Sequence, residues 1–482
     1  MGENILEFET EKGNKYVYDD STGMVFPAKA KEGISNSDFY WGKFVQKWRR
    51  EGIFKKDVVN VEITEEKIQE HLIANGNGFK HLILIITDNC NLRCKYCIFS
   101  ENYKLHRGYS LESMDFTIAK KAVDYYLKNF DEVRRRNPER KPVIGFYGGE
   151  PLLNFDLIKE VVGYISNIGY KPFYNITTNG TLLLGEKLDF LVQNDFSISI
   201  SLDGPKEEQD RNRVFSNGKG TFETVMKNIK EFKKKYPDYL KCGIVSVYDL
   251  KTDFQKCKNF FDQNQENLPP IIRIDPVKTQ ETSYYEQFTI EDVEKSKKQL
   301  EDLREKWVRE ILPGKEVLEY GGILFGVSYA NLLIRPIGKT VRSSLMPYTG
   351  ACIPGDKIAV RPNGIINICE RISDNFPIGN VQTGLDYRLI KSYLENYISN
   401  ICKNCDECPV SRLCSLCFSQ CGGERNFEKQ PSNICEIIKE NKKKELSDLY
   451  TLLESNPELY SKLSTNYYRE LINRFEWQEG LL

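Results

Sequence analysis

The sequence predicts an α/β fold, a parallel sheet that is open or curved into a partial barrel, with helices packed outside it. Two observations carry this. Six apolar, β-rich runs alternate with helical segments between residue 80 and about 275, the pattern of parallel strands joined by helical crossovers. Polar or glycine-bearing stretches follow the runs at 148–151, 177–180 and 201–204, where a parallel architecture gathers functional groups at the carboxyl ends of its strands. With 482 residues, the chain also exceeds the size at which one hydrophobic core keeps growing, so two or three domains are expected.

Taken in order, residues 1–78 read as a separate small α+β domain. KYVYD, the polar DSTG and MVFPA predict a hairpin. DFYWGKFVQKWRREGIF has aromatic and apolar residues at helical spacing, VNVEI and the helical EEKIQEHLI follow, and NGNG marks a boundary before Phe79. The sheet region, 79–275, contains the candidate strands HLILIIT (81–87), VIGFY (143–147), PFYNITT (172–178), FSISISL (196–202), GIVSVY (243–248) and IIRID (271–275). Residues 276–340 carry a charged helical run and read as a bridging region. Residues 341–440 are turn-rich and hold nine of the fourteen cysteines, and 441–482 form a helical tail.

Composition excludes some classes of function. The 68 basic and 69 acidic side chains leave a net charge of −1, which gives no electrostatic reason to expect a nucleic-acid partner. No run of eighteen apolar residues occurs and the first residues lack a signal-peptide core, so the expected setting is the cytosol, with no membrane partner. Disulfides are rare there, so fourteen cysteines point first to metal. The three histidines lie outside the cysteine groups, which favours thiolate-bound iron–sulfur clusters over His-based zinc.

The first candidate strand runs straight into Cys90-x3-Cys94-x2-Cys97. Three cysteines on one short loop can ligate three irons of a cubane and leave the fourth open to a small molecule. A zinc knuckle lacking one ligand is the plainer alternative. CxxxCxxC after the first strand of a βα barrel resembles the radical S-adenosylmethionine (SAM) superfamily. The resemblance implies a partial (β/α)6 barrel and an open iron that holds SAM, whose reductive cleavage yields a 5′-deoxyadenosyl radical. Gly148-Gly149-Glu150-Pro151 resembles the family's GGEP motif, in which backbone and carboxylate meet the SAM ammonium. By the same resemblance, Thr178, Asn179, Ser201 and Asp203 are expected near the ribose and carboxylate of SAM, and Tyr96 and Val245 near the adenine. Arg213 resembles the arginine of an HDxxR-like segment, although Gln209 replaces the histidine.

The C-terminal pattern Cys352-x11-Gly364-x4-Cys369, followed by Cys402-x2-Cys405-x2-Cys408-x5-Cys414-x2-Cys417-x3-Cys421-x13-Cys435, resembles the SPASM domain. That implies two auxiliary clusters, and so three [4Fe–4S] clusters in all. One takes Cys352 and Cys369 with either Cys417 or Cys421, and the other takes Cys405, Cys408, Cys414 and Cys435. Cys402 is additional to the family pattern, and the stretch before Cys352 lacks a cysteine that fully ligated members carry. Cys242 and Cys257 read as ordinary buried thiols. Glu370, directly after Cys369, is a candidate catalytic base, because sulfatase-maturing relatives place an aspartate there.

The resemblance implies a peptide maturase that joins a cysteine sulfur to a carbon of a ribosomally made precursor, forming a thioether. Residues 1–78 would be a winged-helix-like domain that binds the precursor's leader by strand addition. A flavodoxin- or ferredoxin-type protein would supply electrons. The alternatives are a formylglycine-generating sulfatase maturase, a maturase that forms carbon–carbon crosslinks, and a non-enzymatic electron carrier, which would need neither GGEP nor an open iron.

Overall fold

The computed structural model describes residues 4–28, 47–48, 50–51, 61–106, 108–312, 320–338 and 344–466. At the amino end, β1 (Ile5–Glu9), β2 (Lys15–Asp19) and β3 (Met24–Pro27) form an antiparallel sheet in that order. The hairpin is as expected, and β1 is a strand that sequence periodicity did not show. The segment DFYWGKFVQKWRREGIF, apart from residues 47, 48, 50 and 51, and the start of VNVEI lie outside the described residues. Residues 61–64 form no strand, and Thr64 then caps a short helix, α1 (Glu65–Gln69), by accepting from Lys67 N.

The six apolar runs form six parallel strands: β4 (His81–Thr87), β5 (Val143–Gly148), β6 (Phe173–Thr178), β7 (Ser197–Ser201), β8 (Cys242–Tyr248) and β9 (Ile271–Pro276), neighbours in sequence order. On β4 alternate residues part company, as the two-residue period of a strand requires. Leu82, Leu84 and Ile86 join the main core beneath the helices, whereas Ile83 and Ile85 pack with Tyr147 and Ala359 on the inner face. Both faces are therefore covered, which is why Leu82–Ile86 is an unbroken apolar run. The outer layer includes α2 (Phe116–Arg134), α3 (Phe155–Asn167), α4 (Gly185–Gln193), α5 (Lys206–Asn212), α6 (Phe222–Lys235) and α7 (Phe254–Gln263); all but α5, whose buried residues are Glu208, Gln209 and Asn212, place apolar faces in the same core.

The sheet does not end at residue 275. In the cysteine-rich region, β10 (Lys357–Val360) pairs in parallel with β4, from Lys357 opposite His81 to Val360 opposite Leu84. β11 (Ile365–Asn367), β12 (Pro377–Asn380) and β13 (Gly384–Leu385) continue antiparallel from it, giving ten strands. These strands are two to four residues long, too short for periodicity to reveal.

The charged run forms α8 (Ile290–Ile311), started by a capping box between Thr289 and Asp292 and burying Leu303, Trp307 and Ile311. The described parts of the first 78 residues have different neighbours. Ile68 of α1 and Leu72 join the main core, while Phe8 and Tyr18 pack with Trp307, Tyr329, Leu446 and Leu449. Leu446 and Leu449 belong to the tail helix, Ile434–Ser455, which starts early enough to carry Cys435 on its first turn. Cys242 and Cys257 are buried in the main core, as expected. No helix among the described residues is long and apolar enough to cross a membrane.

Candidate active site

The loop after β4 is fixed from two sides. Asn89 N donates to Thr87 Oγ1 over 3.1 Å, and Arg93 N and Lys95 N donate to Val214 O (2.7 Å) and Asn212 O (3.1 Å). Cys90, Cys94 and Cys97 are thereby held on one side of a cavity of about 410 Å³ at the carboxyl ends of the strands. Burial pushes the Cys90 and Cys94 thiols up to about 12, so their thiolates need a compensating cation, which a metal supplies. As they stand, no three His, Cys, Asp or Glu side chains among the described residues are close enough to hold a single metal ion. A cubane instead spreads its thiolate ligands over several irons, and a buried three-thiol loop on a cavity fits that donor set.

The end of β5 closes against this loop. Gly149 N donates to Thr87 O (2.8 Å) and Glu150 N to Asn89 O (2.9 Å). A Cβ on Gly149 would lie 2.2 Å from Asn89 O, so only glycine permits the approach. Gly148, Gly149, Thr178, Asn179 and Ser201 line the cavity, as do Tyr96, Arg213 and Val245. Glu150 and Asp203 do not line it; both are buried behind the wall. The Glu150 carboxylate accepts from Asn179 N (2.7 Å), Thr178 Oγ1 (2.8 Å) and Leu152 N (3.1 Å). Burial nevertheless raises its pKa against those three donors.

Tyr96, Asp203 and Arg213 form one buried unit. The Tyr96 hydroxyl donates to Asp203 and accepts from Arg213 Nη1 over 2.7 Å. Val247 N donates to Asp203 Oδ1 (3.1 Å), and Asp203 N donates to Gln209 Oε1 (2.9 Å). Gln209, where the family pattern has histidine, thus holds the Asp203 loop and donates onward to Thr221 Oγ1 (3.1 Å). Arg213 Nε is buried and finds no acceptor among the described residues. Arg213 itself lines the cavity, and its guanidinium fits an anionic group such as the carboxylate of SAM.

Another part of the wall went unrecognised in the sequence. Arg273, Asp275 and Lys278 come from β9 and its exit, and Arg371, Ser419 and Gln420 from the cysteine-rich region. The available signals were the i, i+2 spacing of Arg273 and Asp275 in IIRIDP and the position of Arg371 two residues after Cys369. Glu370 does not line the cavity. Its Oε1 lies 3.7 Å from Arg371 Nε. Burial would raise its pKa, but Lys357 and Arg371 outweigh that and hold it below the usual carboxylate range.

None of the fourteen cysteines is in a disulfide. Cys352 lies near Cys417, and Cys369 near Cys352. Cys414 is similarly near Cys405, Cys408 and Cys435. Cys402, by a hydrogen bond to Cys405, and Cys421, near Cys414 and Cys435 as well as Cys417, border that second group. The amino-terminal sheet clasps the loop between Cys408 and Cys414, where Asp20 accepts from Ser411 Oγ (2.7 Å) and Arg412 N (2.8 Å).

Comparison with known proteins agrees with this geometry. Residues 84–255 match the family model of the radical SAM superfamily. The cysteine-type anaerobic sulfatase-maturating enzyme of Clostridium novyi (strain NT) is 28% identical over 392 residues, 76% of this chain and 95% of that enzyme. The radical SAM cyclopropyl synthase TigE of Paramaledivibacter caminithermalis is 24% identical over 401 residues, 80% of this chain and 76% of that one. The solved structure of native anSMEcpe with bound AdoMet and Cp18Cys peptide superposes with a TM-score of 0.57 at 20% identity, over 78% of this chain and 98% of that one. At that identity the likeness speaks for the fold.

Proposed function

The chain carries a radical SAM domain, and from that premise we propose that it is a maturase that modifies a cysteine-containing peptide, joining the cysteine sulfur to a carbon of a second residue. One observation carries the reading. A single cavity is walled by the Cys90–Cys97 loop and the glycine pair on one side, and on another by Arg371, Ser419 and Gln420 from the cysteine-rich region. A substrate held there would touch both halves of the protein.

Cys90, Cys94 and Cys97 would hold a [4Fe–4S] cluster, which with SAM in the cavity would supply radical chemistry able to remove hydrogen from a substrate carbon. The protein's own groups bind and orient. Gly148 and Gly149 let main chain close on the ligand, and the guanidinium of Arg213, which lines the cavity, faces the SAM carboxylate. Tyr96 and Asp203 fix Arg213 in place. Glu150 braces the Thr178–Asn179 turn, and that turn's Asn179 side chain donates to Asn91 of the cysteine loop over 2.9 Å. The auxiliary clusters fall to Cys352, Cys369 and Cys417, and to Cys405, Cys408, Cys414 and Cys435, which makes three clusters in all. Glu370, ionised and off the cavity wall, positions Arg371 and is poorly suited to be a base. The amino-terminal sheet is assigned to leader recognition, and electrons come from a flavodoxin- or ferredoxin-type partner in the cytosol.

A second reading, oxidation of a cysteine to formylglycine, is favoured by the extent of the match to the Clostridium novyi enzyme, of which 95% is covered. Anaerobic, reduced protein incubated with SAM and cysteine-containing peptides separates the two. Loss of two hydrogens with sulfur retained supports the thioether. Loss of sulfur with gain of oxygen supports formylglycine. Absence of 5′-deoxyadenosine rejects both.

A further inference from the structure

The cavity wall at β9 carries more positive than negative charge. Arg273 Nε lies 2.9 Å from Asp275 Oδ2, and Arg371 Nη2 lies 3.5 Å from the same oxygen. Two guanidiniums therefore share one carboxylate oxygen. The other carboxylate in reach, Glu370, is 3.7 Å from Arg371 Nε but also serves Lys357. Lys278 adds a third cation to the wall, and its Nζ lies 3.0 Å from the His106 ring. Glu281 stands near Lys278, but burial lifts its pKa to about 7, so it offsets only part of that charge at neutral pH.

The two arginines are open to a ligand. They line the cavity with side chains 50% and 48% exposed, and each uses only part of a fork that carries five N–H donors. That planar fork matches a carboxylate. The Arg213 unit is separate, since Arg213 pairs with Tyr96 and Asp203, whereas Arg371 pairs with Asp275 and Glu370. One site is thus available to SAM and another to the substrate.

Resting on the maturase reading, we propose that Arg273 and Arg371, with Lys278 beside them, bind a carboxylate of the substrate peptide next to the residue being modified. The carboxylate is either an Asp or Glu side chain or a free C-terminus. Glu370 and Asp275 are positioning residues that aim the two forks. Selectivity for acidic peptides follows directly, because an amide in the same place offers the two guanidiniums no anionic partner and so no charge-assisted hydrogen bond.

The test uses full-length, cluster-loaded protein with SAM and three short N-acetylated peptides. One has Cys beside Asp and an amide cap, the second has Cys beside Asn and the same cap, and the third is the Asn peptide with a free C-terminal carboxylate. Calorimetry should show one or both carboxylate peptides binding roughly tenfold tighter than the capped Asn peptide, which also identifies the source of the carboxylate. R371Q and R273Q should abolish that preference while SAM affinity stays unchanged, and R371K should retain part of it. Equal affinity for all three peptides, no saturable binding by any, or a preference that survives both Gln variants overturns the proposal. The same samples are assayed for 5′-deoxyadenosine with reductant. Its absence defeats the maturase reading, whereas its presence without carboxylate preference defeats only this inference.

Discussion

Arg213 and Tyr96 meet across 117 positions of sequence, with Arg213 Nη1 donating to the Tyr96 hydroxyl over 2.7 Å while that hydroxyl donates to Asp203. The tyrosine thus links a buried cation to a buried anion that are themselves 3.9 Å apart. Tyr96→Phe removes the link and leaves both charges a partner short. The expected cost is about 1–3 kcal/mol in urea unfolding, with weaker SAM binding by calorimetry. A change within about 0.5 kcal/mol, the range of ordinary surface substitutions, would show that the unit does not depend on the hydroxyl.

Gly149→Ala tests the closure of β5 on the cysteine loop. The added methyl would meet Asn89 O at 2.2 Å, so the loop must shift. The expected result is a loss of about 1–3 kcal/mol, reduced iron content and little SAM cleavage. Gly163→Ala is the control, since a Cβ there meets nothing within 4 Å. Lying within α3, that substitution should be neutral or stabilising by up to about 1 kcal/mol.

Changing Cys90, Cys94 and Cys97 together to Ala should remove one cluster's worth of iron and end 5′-deoxyadenosine formation. Iron analysis and chromatography of the reaction read this out. Undiminished deoxyadenosine from the triple variant would place the reactive cluster elsewhere.

Cys417→Ala and Cys352→Ala should deplete the same auxiliary cluster, giving matching changes in Mössbauer spectra, because Cys417 lies near Cys352. Cys421→Ala should leave that spectrum unchanged. The reverse outcome would assign Cys421 to the first auxiliary cluster.

His81 gives a pH signature. Burial, with Lys357 adding to it, lowers its pKa to about 4, whereas an unfolded histidine titrates near 6.5. Between those values the unfolded chain takes up a proton that the folded chain refuses, so acidification favours unfolding. The stability gap between wild type and His81→Gln should shift against wild type by about 1 kcal/mol between pH ~7 and ~5.5. Parallel stability curves for the two proteins would mean that His81 titrates in the fold as it does in the unfolded chain.

The six parallel strands, the cysteine loop after β4 and the glycine pair after β5 could all be read from the sequence, because they rest on local signals. Side-chain period, turn residues and cysteine spacing act over a few positions, and β4–β9 formed where those signals lay. The tertiary structure decided which of these residues reach the cavity. Glu150 and Asp203 look like ligand-facing carboxylates in sequence, yet folding turns them to Asn179, Thr178, Tyr96 and Val247, since a buried carboxylate takes the nearest donors. Arg371 reaches Asp275 across 96 positions after β10 adds in parallel to β4, a register that strands of two to four residues do not announce. The first 78 residues likewise read as one unit, while the described β1–β3 sheet packs with the tail helix and α1 with the main core. Sequence patterning determines which face of an element is apolar. Which distant face it meets depends on the whole set of buried surfaces competing for partners, and that was settled only in the folded chain.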